Sequence, residues 1–178
     1  MADQTIYLID GSGFIFRAYY AFPPLTTTSG TPVGAVVGFC NMLQKVMAEA
    51  KGHNIAVIFD AARKNFRNDI YKEYKANRDA TPDDLIPQFP LIREATEAFG
   101  IEAIEMEGYE ADDLIGCLAK QAEVAGYDVF MMTPDKDFGQ LVTEKVRMFR
   151  PGRGGGPAEV WGPAEVCEKF GVDRTEQI

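Results

Sequence analysis

Four short apolar runs punctuate the chain, at residues 6–9, 55–59, 101–104 and 129–132. But for Glu102, each is continuous rather than alternating, the pattern of a strand covered on both faces. Between them the apolar positions change to a spacing of three and four. Residues 33–50 place Val36, Phe39, Cys40, Leu43, Val46 and Met47 on one side, and residues 85–99 and 111–125 behave similarly, the latter through Leu114, Leu118 and Ala122. That spacing predicts helices. Gly52, Gly100 and Gly126 follow these segments, where helix C-caps are expected. Strands alternating with helices imply right-handed crossovers and a mainly parallel sheet flanked by helices, an α/β fold in three layers.

Two stretches break the alternation. Residues 61–83 are long, polar and basic at first, ending in Thr81-Pro82-Asp83. Residues 151–157, Pro-Gly-Arg-Gly-Gly-Gly-Pro, read as a mobile turn before Glu159-Val160-Trp161. They are not a phosphate-binding P-loop, because no Gly-Lys-Ser/Thr follows. Residues 163–170 predict a last helix, with Pro163 suited to its first turn. Residues 18–44 carry no charge, but Pro23, Pro24, Gly30 and Pro32 interrupt them, so no membrane span is expected.

Composition removes other classes. Cys40, Cys117 and Cys167 are far apart, and His53 is the only histidine. A zinc site or a disulfide framework does not fit, and a reducing cytoplasm is the expected compartment. The net charge of −9 argues, as an average, against a nucleic-acid partner. The placement of the acids changes that reading.

Asp10 ends the first apolar run and Asp60 the second, while Asp135 and Asp137 follow the fourth. In a parallel sheet these strand ends lie on one edge, where open α/β folds bind ligands. The third run leads to Glu110-Ala111-Asp112-Asp113 at a predicted helix start, and Glu110 and Asp113 share a face if both are helical. Seven carboxylates so placed repel one another unless cations compensate. With no soft ligands on offer, Mg²⁺ or Mn²⁺ suits them, and two such ions could activate water against a phosphodiester. Taking these seven negative charges from the net −9 leaves −2. Each acid alone has a plainer explanation, as an N-cap or a partner of a helix dipole. The set on one edge does not.

Residues 63–78 hold six basic and two acidic side chains. On a continuous helix Lys64, Arg67, Tyr71, Lys75 and Arg78 share one face, beside a stripe of Phe66, Ile70 and Tyr74. A cationic face with aromatics suits a phosphate backbone and a stacked base. A solvated amphipathic helix is the alternative.

Leu8-Ile9-Asp10-Gly11-Ser12 and the stretch from Phe16-Arg17-Ala18-Tyr19-Tyr20 to Pro24-Leu25 resemble the opening of the 5′-nuclease domain of bacterial DNA polymerase I. Val57-Ile58-Phe59-Asp60-Ala61, Phe66-Arg67, Tyr74-Lys75 with Arg78, Thr81-Pro82-Asp83-Asp84-Leu85, Glu110-Ala111-Asp112-Asp113 and Asp135-Lys136-Asp137 continue the likeness in family order. The resemblance covers nearly the whole chain. It implies a PIN-like, resolvase-like core over residues 1–178 with a basic helical arch inserted at about 61–83. It implies metal-dependent cleavage of DNA 5′ flaps and 5′ ends in primer removal and repair, by a cytoplasmic monomer tied to the rest of a polymerase chain.

By this likeness Asp10, Asp60, Glu110 and Asp112 hold one Mg²⁺ or Mn²⁺. Asp135 and Asp137 serve a second ion, with Asp113 beside them. Arg67, Lys75 and Arg78 clamp the scissile phosphate, and Lys64, Tyr71, Arg17, Tyr19 and Tyr20 are further DNA contacts. Pro134 stands where many relatives have Gly. Relatives also continue into a helix–hairpin–helix-like module and further acids, so a truncated chain with an incomplete second ion site and weak activity is expected. Two other readings stay open on the residues alone: a PIN-type ribonuclease, and a receiver-like phospho-acceptor domain. The latter wants an acid pair after the first strand, where Gly11 follows Asp10. A non-catalytic nucleic-acid-binding module is a third.

Overall fold

The computed structural model describes residues 4–62, 65–77, 79–150 and 158–178. Among them, six strands form one sheet: β1 Thr5–Asp10, β2 Asn54–Ile58, β3 Glu102–Ile104, β4 Asp128–Met132, β5 Val146–Arg150 and β6 Glu159–Trp161. The order is β3-β2-β1-β4-β5-β6, parallel except for β6, which pairs antiparallel with β5. The helices are α1 Gly11–Ala21, α2 Gly34–Ala50, α3 Phe66–Ile70, α4 Gln88–Ala98, α5 Ala111–Val124 and α6 Pro163–Phe170.

Side chains alternate across a strand, and the two helical layers divide along that alternation. Ile9, Val57, Phe59 and Met132 pack with Phe14 and Ile15 of α1, Phe39 and Leu43 of α2 and Ile92 of α4. Leu8, Ile58, Val129 and Met131 pack with Ile115 and Ala119 of α5 and Val166 of α6 on the opposite face. Continuous apolar runs are thus what two buried faces require. Two of the three expected C-caps form as well, while α2 closes on Lys51 at φ 48°, one residue before Gly52. Gly100 and Gly126 take φ of 72° and 94°, where a side chain would be strained. The backbone closes around them in Schellman fashion, with the Ile101 N–H donating to Thr96 O and the Tyr127 N–H to Ala122 O.

Three elements lie outside the sequence expectation. Helix α1 has two glycines in its first turn, so its propensity is poor. Capping by Asp10 and burial of Phe14, Ile15 and Ala18 hold it. It lies close on α2, where a Cβ at Gly38 would come within 2.9 Å of the Ala18 methyl. Strand β5 does alternate, burying Val146 and Met148 and leaving Arg147 and Arg150 half-buried. Strand β6 is a three-residue edge.

The helix expected through residues 63–78 is corrected. Helix stops at Ile70, Tyr71 is extended at its C-cap, and Lys75 sits at φ 56° in the left-handed region. One continuous cationic face therefore does not form. Phe66 and Ile70 of the expected apolar stripe are 40% and 80% exposed. Lys64, Arg78 and the Gly-rich 151–157 lie outside the described residues. Among the described residues, no helix is long and apolar enough to cross a membrane.

Candidate active site

The strand order reverses direction at β1, whose neighbours are β2 and β4. The crevice at the carboxyl ends of strands around such a switch point is the natural ligand site. Here a cleft of about 350 Å³ opens there, lined by Asp10, Ser12, Gly13, Phe16, Asp60, Lys75, Asp112, Pro134 and Asp135. Four of the seven expected carboxylates therefore share one cavity.

Three of them, Asp10, Asp60 and Asp135, accept a backbone N–H that starts a helix or turn. Asp10 Oδ1 accepts the Gly13 N–H at 2.8 Å and so starts α1. Its Oδ2 accepts from Thr133 Oγ1 at 2.9 Å. Asp60 Oδ1 accepts the Ala111 N–H, the first of α5, at 2.7 Å. Asp135 Oδ1 accepts the Asp137 N–H at 2.9 Å and opens the 3-10 turn Lys136–Leu141. Capping and convergence on one edge are thus the same arrangement. Two helix N-termini, those of α1 and α5, face the acids and favour negative charge. Gly13 is required for space, since a methyl there would meet the Asp10 carboxylate and the Pro134 ring.

The other three acids stand apart from the cavity lining. Glu110 is buried at the N-cap of α5. Its Oε1 accepts from Asn65 Nδ2 at 2.8 Å and Lys75 Nζ at 2.6 Å, and its Oε2 accepts from the Tyr74 hydroxyl at 3.1 Å. Asp113 accepts both terminal nitrogens of Arg67, at 2.8 and 2.7 Å, a bidentate pair. Asp137 is exposed on the 3-10 turn. Of the cations, Lys75 both pairs with Glu110 and lines the cleft.

Of the remaining expected DNA contacts, Tyr19 donates its hydroxyl to Asp84 Oδ1 at 2.8 Å, with Tyr20 edge-on to its ring and 75% exposed. Arg17 is exposed, and the Tyr71 hydroxyl donates to Glu73. Sequence reasoning missed Thr133, Ser12 and Asn65, uncharged groups that hold the acids or their backbone. It also missed Arg93, which donates to the Asp60 carbonyl at 3.1 Å and lies over the Phe59 ring.

Crowding shows in the titration of the acids. Burial pushes the Asp10 carboxyl above its ordinary value, against the hydrogen bonds from Gly13 and Thr133, and Asp60 and Asp135 push it further. Asp112 is pushed up to about 6, first by desolvation in the cleft and then by the Asp10 and Asp60 charges. Asp113 is held below the usual carboxylate range by its hydrogen bonds from Arg67. Among the described residues, no three His, Cys, Asp or Glu side chains form a finished metal-ligand set. The cleft acids instead retain a mutual repulsion that a bound cation would relieve, and their hard oxygen donors fit Mg²⁺ or Mn²⁺.

The Asp112 shift predicts a stability change. Its folded value of about 6 lies above the ordinary 3.8. Its contribution is therefore fully present below pH about 3.8 and is lost as pH rises through about 6. Asp112→Asn cannot ionise. In EDTA at pH 8 it should be more stable than the parent by about 1 kcal/mol, the full shift being discounted because the side chain is exposed. Thermal melts at pH 4 and pH 8 check this, the gain vanishing at pH 4. A variant no more stable at pH 8 would refute it.

Comparison with known proteins agrees with the architecture. DNA polymerase I of Rhizobium leguminosarum is 50% identical over 97% of this chain and 17% of its own length. The 5′-3′ exonuclease of Aquifex aeolicus is 40% identical over 96% of this chain and 57% of its own. The chain thus spans between a sixth and just over half of these relatives. A crystal structure of a bacteriophage T5 flap endonuclease in a pseudo-enzyme-product complex with DNA and metal ions superposes with a TM-score of 0.73. It covers 97% of this chain and 63% of that one at 22% identity, a likeness of fold. Residues 5–171 match the family described as 5′-3′ exonuclease, N-terminal resolvase-like domain. With a parallel sheet whose switch-point crevice gathers the strand-end acids, and a match running almost end to end, the chain belongs to that family.

Proposed function

We propose that this chain is a divalent-metal-dependent 5′-nuclease that hydrolyses DNA phosphodiesters at 5′ flaps and 5′ ends, working in the cytoplasm as a part of DNA polymerase I. The observation that carries this is the cleft itself, in which Asp10, Asp60, Asp112 and Asp135 face one space with Lys75 on its wall. Asp10, Asp60 and Asp112, with Glu110 behind Lys75, are the ligands for one Mg²⁺ or Mn²⁺. Asp135, with Asp137 next along the turn, serves a second. When bound, such ions supply an activated water and stabilise developing charge on the phosphate.

The protein's own part is positioning. Lys75 offers a cation to a phosphate entering the cleft. Arg67, fully engaged by Asp113, fixes the start of the 65–77 segment against α5 rather than reaching the cleft. The 65–77 stretch of the basic insertion meets the acids through Lys75. Tyr20, Arg17 and Tyr71 are exposed, as contacts to a DNA strand must be. The relatives named above support the reading, and the family resemblance supports DNA as the substrate.

Incubation with a 5′-flap duplex tests it. Mg²⁺ should give shortened products carrying a 5′-phosphate, and EDTA should abolish them. Preferential cleavage of RNA would favour the ribonuclease reading instead, and no Mg²⁺-dependent cleavage of either would overturn both.

A further inference from the structure

Asn65 is 6% exposed and is not a member of any acidic or basic set. Its side chain has two functions at once. The oxygen accepts the Arg67 N–H at 2.9 Å and, with Asn68 accepting the Asn65 N–H at 3.0 Å, closes a capping box on α3. The amide nitrogen donates to Glu110 Oε1 at 2.8 Å. A cap needs only an acceptor, which Ser, Thr or Asp supplies as well. The second bond needs a donor on the far side of the same group, which among the usual capping residues only Asn provides at that reach.

Glu110 is otherwise pulled toward the basic segment. Lys75 shares its Oε1, Tyr74 holds its Oε2, and Arg67 Nη1 lies 3.6 Å from that Oε2. All three lie on α3 or in the turn after it, and Lys75 would leave Glu110 if it turned to a phosphate. Asn65 alone among these partners is buried and tied into the first turn of the segment. It is therefore, with the half-buried Tyr74 hydroxyl, a contact that would keep the carboxylate in place when the cations leave it.

We propose that Asn65 is a positioning residue for Glu110. It holds that carboxylate behind Lys75, next to the acidic cleft, in place for a divalent cation once Lys75 turns away, and couples its placement to the start of the basic segment. The inference rests on reading the cleft as a metal site. Hydrogen-bonding partners of ligating carboxylates have effects of about 10–100-fold on metal affinity when removed.

The test separates the cap from the donor. Asn65→Ser and Asn65→Thr both retain a neutral capping acceptor but lose the amide donor. Binding of Mn²⁺ alone, without DNA, is followed by calorimetry on the whole chain, together with thermal melts in EDTA. Both variants should need about 10-fold more Mn²⁺ for half-saturation, while their melting points in EDTA stay within about 2 °C of the parent. In a Glu110→Gln background the same substitutions should cause no further loss, because contacts acting through one group are not additive. Parent-like Mn²⁺ affinity in both variants, additive losses in the Glu110→Gln background, or no Mn²⁺ binding by the parent would each overturn the proposal. A parent that binds Mn²⁺ tightly but cleaves no flap would overturn the nuclease reading and leave the role of Asn65 intact.

Discussion

Asp135→Asn should lower Mg²⁺-supported flap cleavage by at least about 100-fold, the scale of losing a group that stabilises transition-state charge, and leave the fold unchanged. The two effects separate here because of how Asp135 is held. Its side chain is exposed, so neutralising it empties no packed space. Its Oδ1 accepts the Asp137 N–H that starts the 3-10 turn, and the amide oxygen of Asn accepts the same bond. Its own N–H donates to Thr133 Oγ1 whatever the side chain. What disappears is one negative charge facing the cleft that Asp10, Asp60 and Asp112 also line. Melting in EDTA should therefore shift by less than about 2 °C, while single-turnover cleavage of a labelled flap falls steeply. Cleavage within threefold of the parent would remove Asp135 from the site. Asp112→Asn should lose activity in the same assay although it gains stability, since a site that crowds like charges does so at the expense of the fold.

How the acids came to be legible bears on why others were not. Asp10, Asp60 and Asp135 follow apolar runs, and a parallel sheet carries every such end to one edge, so sequence position alone places them. Asp112 was reached through the start of α5. Glu110 and Asp113 sit in the same first turn, but spacing on a helix gives a face and not a partner. The partners decided their placement, since Arg67 takes both Asp113 oxygens and Lys75, Tyr74 and Asn65 take Glu110. The basic segment misled the helical reading for a related reason. Its periodicity is real over Phe66–Ile70, yet the left-handed Lys75 turns the chain back so that its ammonium meets Glu110. Thr133 and Asn65 carry no charge and left no signal beyond being polar beside apolar or aromatic neighbours. Their importance exists only once distant segments meet.

Phe59→Ala should cost the fold about 3–5 kcal/mol in urea unfolding. The ring is 1% exposed and is wedged between layers. It meets Phe39 of α2 at a centroid distance of 6.2 Å, and the Arg93 guanidinium of α4 lies 4.9 Å over its centroid. Gly11 at the start of α1 approaches so closely that a Cβ there would come within 2.6 Å of the ring. Three helices therefore read their distance from the sheet off one side chain, and the interior cannot collapse into the space without moving all three. The loss would reach the site as well. Phe59 is held to β3 by its N–H bond to Ile104 O at 2.8 Å and directly precedes Asp60, whose carboxylate takes the first N–H of α5. Phe59→Leu fills much of the volume and should lose only about 1–2 kcal/mol. At a temperature where both variants are folded, the order of residual Mg²⁺-dependent cleavage should follow parent, Leu, Ala. A loss below about 1 kcal/mol for Phe59→Ala would show that α1, α2 and α4 are spaced by something other than this ring.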